Sequence, residues 1–149
     1  MTFERWCDWL LYASGFFVVF GVVAAIAPDS FPFSLWSNAV DAAYFPGEPH
    51  PNAQALRRFM MAPLGATIAG SYLLQVFIVA YPFREGKPWA WYAILSSTLL
   101  WFAVDSGMSL VHGAYFNVFM INFFPLAIFG IPLFATRFLA RKPNAPASP

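Results

Sequence analysis

Hydrophobic residues occur along this chain in four long runs that short polar segments separate. The runs extend from about Trp9 to Ala27, Phe59 to Tyr81, Trp89 to Val111 and Tyr115 to Phe138. A helix needs about 20 residues to cross the hydrocarbon core of a membrane, where only helices and closed barrels satisfy the backbone. Because each run is long and continuous, the sequence predicts an all-α fold, a bundle of four transmembrane helices.

The connection between the first two runs carries a shorter pattern of its own. Between Phe33 and Phe45, apolar residues recur at a spacing of three or four, and Ser37 and Asp41 lie between them. The apolar positions are Phe33, Trp36, Val40 and Tyr44. The segment is too short to cross a membrane, so the pattern predicts an amphipathic helix that lies on the outer membrane surface.

Composition agrees with a membrane protein. The 149 residues are 60% hydrophobic and 10% charged, whereas soluble domains contain roughly 25% charged residues. The net charge of +1 offers no basic surface to nucleic acid. Cys7 is the only cysteine, so we expect no disulfide and no metal site, and the sequence names no cofactor. The length fits one domain, residues 1–142, with a disordered tail at 143–149.

The distribution of Lys and Arg predicts the orientation in the membrane. The N-terminus, the turn between the second and third runs and the C-terminus share one side, which carries Arg5, Arg84, Lys87, Arg137, Arg141 and Lys142. The other side carries Arg57 and Arg58. Cytoplasmic segments are enriched in these residues, so both termini are expected in the cytoplasm. The segment before the first run is not basic, because it contains Glu4 and Asp8, so we interpret that run as a retained helix.

One carboxylate stands out against this apolar background. Asp105 is the only charged residue between Pro88 and Thr136. An ionisable side chain inside a membrane helix is expensive, and it marks a functional site by default. Residues four apart on a helix share a face, so Ser109 lies on the same stripe as Asp105, and His112 continues it.

Other polar side chains are predicted at a similar depth. Asn117 and Asn122 lie on the helix that returns from the outer side, and Arg58 enters from that side on the second helix. The candidate site is therefore a polar cluster in the outer half of the bundle: Arg58, Asp105, Ser109, His112, Asn117 and Asn122. One interpretation is an Arg58–Asp105 ion pair that fixes the packing. The other is a functional pocket.

Small residues indicate where helices touch. Ala62, Ala66 and Gly70 are spaced by four on the second run, as are Gly21 and Ala25 on the first, which allows close approach of backbones. The turn from 82 to 88 is short, so the second and third helices are predicted to be antiparallel neighbours. Three prolines should bend their helices and free backbone carbonyls that need other partners. They are Pro63, Pro125 and Pro132.

Two stretches carry a resemblance to a known group of proteins. The sequences YPFREGKPWAW, from Tyr81 to Trp91, and WFAVDSGMSLVHGAYFNV, from Trp101 to Val118, resemble those of small four-helix bacterial integral membrane proteins of uncharacterised function. The resemblance implies a four-helix topology and the bacterial cytoplasmic membrane. It implies no activity.

Two functions remain open at this point. The first is a binding or accessory protein that holds an apolar or amphipathic molecule, or that packs against other membrane subunits or a second copy of itself. The second is a membrane enzyme with isomerase-like chemistry on a lipid-like substrate, in which Asp105 and His112 act as acid and base. Proton or ion transport is disfavoured, because no relay of ionisable groups leads from Asp105 to the inner side.

Overall fold

The computed structural model describes residues 1–45, 47 and 50–141, without the side chains of the last two. The predicted tail, 143–149, lies outside these residues. The described chain is helical and contains no strand, which confirms the all-α prediction. Its α-helices are α1 (Phe3–Ile26), α2 (Phe33–Tyr44), α3 (Pro51–Ile78), α4 (Pro88–Val111) and α5 (Phe123–Ala135).

Two turns of wider π-helix adjoin these elements. One, Val79–Phe83, continues α3, and the other, Asn117–Asn122, precedes α5. A short 3₁₀ helix, Arg137–Arg141, ends the described chain. Among the described residues, four helices are long and apolar enough to cross a membrane: Phe3–Ile26, Pro51–Phe83, Pro88–Val111 and Asn117–Ala135. They correspond to the four hydrophobic runs.

The closest contact between two helices is between α1 and α3. A Cβ added at Gly21 would lie 2.6 Å from the carbonyl oxygen of Gly65 and 2.6 Å from the backbone nitrogen of Ala69. The backbones touch there because neither glycine has a side chain. The small residues predicted on α1 are therefore at an interface. On α3 the predicted stripe is wrong at Ala66 and Gly70, which are exposed, while Ala62 is half-buried; the backbone contact with α1 is at Gly65 and Ala69 instead.

The helices follow one another in space in the order α3, α1, α5, α4. The first helix, α1, packs on both α3 and α5, and α5 packs on α4. The bodies of α3 and α4 contact each other little beyond the turn that joins them, so the prediction that they are neighbours along their length is wrong. Close packing at Gly21 and Gly65 holds α3 against α1. Beyond the turn that joins it to α3, α4 packs on α5.

The apolar core lies at the end of the molecule that contains the N-terminus, here called the N-terminal end. Phe3 stacks on Phe83 with ring centroids 5.8 Å apart and lies 5.9 Å from the ring of Phe138. Asp8 pairs with Arg84 at 2.5 Å. The N-terminus, the α3–α4 turn and the last described helix thus meet at one end. The fully buried core residues include Leu10, Val79, Phe83, Ile94, Phe129 and Leu133.

The opposite end, here called the α2 end, is covered by α2. Phe33 is buried against Phe20, with ring centroids 4.7 Å apart, and against Met61 on α3. Asp41 forms an ion pair with Arg57 of α3. The predicted helix is therefore present, and on its apolar face Phe33 and Trp36 pack on the ends of α1 and α3 while Tyr44 is exposed. Packing against protein buries the apolar side chain of Phe33, as contact with the membrane would.

Tryptophan side chains satisfy backbone carbonyls in α5. Pro132 has no N–H group, so the carbonyl of Ile128, four residues earlier, loses its helical donor. The indole Nε1 of Trp9 donates to that oxygen over 3.0 Å. Trp91 donates to the carbonyl oxygen of Leu133 over 2.9 Å. The predicted need for outside partners at this proline is thus met by α1.

Candidate functional site

Asp105 lies half-buried on α4 towards the α2 end and accepts hydrogen bonds from neutral donors. The side-chain amide of Asn117 donates to its Oδ1 over 3.0 Å, and the hydroxyl of Ser109 donates to the same oxygen over 3.3 Å. Asn117 also donates to Ser109 Oγ over 2.8 Å. Three of the predicted site residues are therefore in direct contact, and they tie α4 to the beginning of the last membrane-length helix.

A wider helical turn explains how two asparagines reach α4. Residues five apart on an α-helix point about 140° apart, at 3.6 residues per turn. Asn117 and Asn122 bound a π-helical turn, in which hydrogen bonds span five residues, so both side chains contact α4. Pro125 lies three residues after the end of this turn and cannot donate to the carbonyl of Ile121. This proline is the sequence feature that favours the irregular turn.

Asn122 contacts α4 separately from Asp105. Its amide donates to Ser106 Oγ over 3.1 Å, and its side chain is fully buried. Its Oδ1 atom has no hydrogen-bond partner among the described residues. Asn122 is therefore not the ligand to Asp105 that its depth suggested. The next residue along α4, Ser106, takes that contact.

The cluster includes a residue from α2 that the sequence analysis did not identify. The indole Nε1 of Trp36 donates to Oδ1 of Asn117 over 3.1 Å. The hydrogen bonds thus run from Trp36 through Asn117 to Asp105 and connect three helices. Trp36 was noted only as part of an apolar stripe. Its indole N–H needs an acceptor when it is partly buried, which is the signal that could have linked it to a polar cluster.

Two predicted members of the cluster lie elsewhere. Arg58 pairs with Asp29, Nε to Oδ2 at 2.9 Å, so the predicted Arg58–Asp105 ion pair is not formed. Asp29 precedes α2 and reaches Arg58 at the surface, where both side chains are exposed. His112 ends α4 with an exposed side chain, and its carbonyl oxygen accepts a hydrogen bond of 2.8 Å from the hydroxyl of Tyr44.

A shallow groove runs along the outward face of α4 beside this cluster. It has a volume of about 470 Å³, and its wall is almost entirely apolar. We call it the Trp101 groove; it is lined by Ser97, Leu100, Trp101, Val104 and Asp105. Asp105 lies at its end nearest α2. The described residues contain no group of three or more His, Cys, Asp or Glu side chains that could hold a metal ion.

The chain matches no protein-family model, no curated protein and no solved structure.

Proposed function

We propose that this chain is an integral protein of the bacterial cytoplasmic membrane, with both termini in the cytoplasm. It acts as a binding or accessory protein that holds an apolar or amphipathic molecule in the Trp101 groove. The four membrane-length helices support this placement, as do outward-facing residues such as Leu100 and Phe134, which are 67% and 69% exposed. A soluble monomer rarely exposes a continuous apolar surface of that kind.

The observation that carries the binding function is the groove itself. Its volume of about 470 Å³ lies within the roughly 300–1,000 Å³ of small-molecule sites. Such sites have predominantly apolar walls, and here Leu100, Trp101 and Val104 form an apolar wall that ends at Asp105. The groove opens sideways from the helices, so an apolar molecule enters it from the hydrocarbon phase.

Acid–base catalysis by Asp105 and His112 has less support. The two residues are seven positions apart on the same helix, which corresponds to about 10 Å at 1.5 Å per residue. The side chain of His112 is exposed at the helix end, whereas the groove runs from Asp105 in the opposite direction. An acid and a base must both reach the reacting atoms, and this separation supports the binding function over acid–base catalysis.

The test is to fill the groove and measure what remains bound. We expect a small molecule or lipid to co-purify with the wild-type protein in a mild detergent and to be identified by mass spectrometry. Leu100→Trp should displace it, because the larger ring occupies the groove. Leu99→Trp is the matched control, since Leu99 is an exposed neighbour on the same helix that does not line the groove.

Equal retention of the molecule by both variants would contradict the proposed site. A wild-type protein that carries no bound molecule, and binds none when apolar compounds are added, would contradict the proposed function.

A further inference from the structure

A second groove lies at the N-terminal end of the molecule, in the angle between the end of α3 and the beginning of α4. It has a volume of about 370 Å³. We call it the Trp89 groove; it is lined by Phe77, Ile78, Tyr81, Pro82, Glu85 and Trp89. The bodies of α3 and α4 contact each other little beyond the turn that joins them, so the groove opens sideways between the two helices.

The lining changes from apolar to charged along the length of this groove. Phe77 and Tyr81 are four residues apart, and their rings lie parallel with centroids 6.5 Å apart, so they form one aromatic wall. Tyr81 and Trp89 are 62% and 57% exposed, and such residues favour the level where hydrocarbon meets lipid headgroups. Glu85 lies on the turn beyond them. An amphiphile with an apolar chain and a charged head has the same order of chemistry.

Charges of both signs lie at the charged end of the groove. Oε2 of Glu85 is 3.8 Å from Nζ of Lys87, which is longer than a hydrogen bond, and both side chains are more than half exposed. The carboxylate can therefore accept a hydrogen bond from a ligand, and the ammonium group can donate one. Arg84, the other cation of this turn, pairs with Asp8. Anionic lipids are attracted by clusters of unpaired Lys and Arg, whereas each cation here has an acidic partner.

We propose that the Trp89 groove binds a zwitterionic phospholipid with a primary amine, which is the chemistry of phosphatidylethanolamine. One acyl chain lies along Phe77 and Ile78, the lipid ammonium donates to Glu85, and the lipid phosphate accepts from Lys87. Charge complementarity with this pair of opposite charges is the reason for choosing a zwitterion. The inference rests on the proposed membrane placement but not on a ligand in the Trp101 groove.

The experiment compares lipids that have the same acyl chains and different headgroups. Native mass spectrometry of the delipidated full chain in a mild detergent measures the affinity for phosphatidylethanolamine, phosphatidylcholine and phosphatidylglycerol. Phosphatidylcholine has no N–H group to donate, and phosphatidylglycerol has no amine. We expect phosphatidylethanolamine to bind about threefold more tightly than either, which is the size of effect that an exposed charge pair produces.

A carboxylate variant tests the headgroup contact. Glu85→Gln should remove the preference for phosphatidylethanolamine and leave the affinity for phosphatidylcholine unchanged. Glu4→Gln is the matched control, because Glu4 is an exposed glutamate at the same end of the molecule that does not line the groove. Equal affinities of the wild type for the three lipids would overturn the headgroup assignment, as would a Glu85→Gln variant that keeps the preference.

A second variant tests the aromatic wall. Tyr81→Ala should weaken binding of all three lipids, because it removes half of the stacked pair that the acyl chain contacts. Tyr12→Ala is the control, since Tyr12 is 77% exposed on α1 and does not line the groove. Thermal unfolding of each variant checks that the fold is retained. Equal lipid affinities of the two variants would show that the groove is not the binding site.

The result is distinguishable from that for the Trp101 groove. Leu100→Trp, which tests the proposed function, should leave the affinity for phosphatidylethanolamine unchanged, because Leu100 lies outside the Trp89 groove. A loss of phosphatidylethanolamine binding in Leu100→Trp would place the lipid in the other groove and overturn this inference.

Discussion

The side-chain amide of Asn117 donates a hydrogen bond to Oδ1 of Asp105 over 3.0 Å. The same amide donates to Ser109, and its oxygen accepts from Trp36. One asparagine thus joins α2, α4 and the start of the last membrane-length helix. At the N-terminal end, packing of apolar side chains and the Asp8–Arg84 ion pair join the helices. The α2 end is thus held by this network together with the packing of Phe33 on Met61 and the Asp41–Arg57 ion pair.

We expect Asn117→Leu to destabilise the protein. The substitution leaves the Trp36 indole without its acceptor and removes one of the two donors to Asp105, and a buried polar group left unpaired costs about 1–3 kcal/mol of unfolding free energy. Thermal unfolding in detergent should show a lower midpoint. The control is Asn38→Leu at an exposed position of α2, which should change the unfolding free energy by less than about 0.5 kcal/mol. Equal midpoints for the two variants would show that the network contributes no stability.

We expect Gly65→Ala to separate α1 from α3. The added methyl group would meet the backbone of Gly21 and Ala25, which cannot move aside without shifting a helix. Overpacking of this kind costs about 1–3 kcal/mol. Gly70→Ala is the control on the same helix, because a Cβ at Gly70 would have no atom within 4 Å. If Gly65→Ala unfolds at the same temperature as Gly70→Ala, the close contact is absent from the protein.

We expect the Trp9–Ile128 hydrogen bond to matter only while Pro132 is present. In the wild type, Trp9→Phe removes the donor to the freed carbonyl and should cost about 0.5–1.5 kcal/mol of unfolding free energy. In a Pro132→Ala background, the N–H group of the new alanine donates to the Ile128 carbonyl, so Trp9→Phe should lower the unfolding free energy by less. A double-mutant cycle from thermal unfolding measures the difference. Additive effects would mean that the indole does not compensate for the proline.

We expect the α2 end to face the outside of the cell. In a Cys7→Ala background, a membrane-impermeant maleimide should label Asn52→Cys in intact cells and Glu85→Cys only after lysis. The asymmetry of Lys and Arg between the two ends is the physical reason. Both positions are exposed, so access to the side chain does not limit the reaction. The reverse labelling pattern would show that the orientation is inverted.

Local sequence patterns were sufficient to predict the helices. The four runs and the stripe from Phe33 to Tyr44 correspond to the four long helices and α2, because apolar length and helical spacing are properties of contiguous residues. The contact of Ser109 with Asp105 follows from the same helical spacing. The approach of Asn117 to both residues was predicted from depth alone.

Tertiary structure decided the rotation of each helix and the partner of each charge. Depth along a helix can be counted, but rotation about its axis depends on which neighbours it meets. The interface on α3 therefore lies at Gly65 rather than at Ala66 and Gly70. The π-helical turn before Pro125 directs Asn122 towards Ser106. Arg58 pairs with the exposed Asp29 and not with Asp105. The sequence by itself determined that a lone carboxylate lies in an apolar helix, whereas only the packing of helices determined that none of the described arginines and lysines pairs with it.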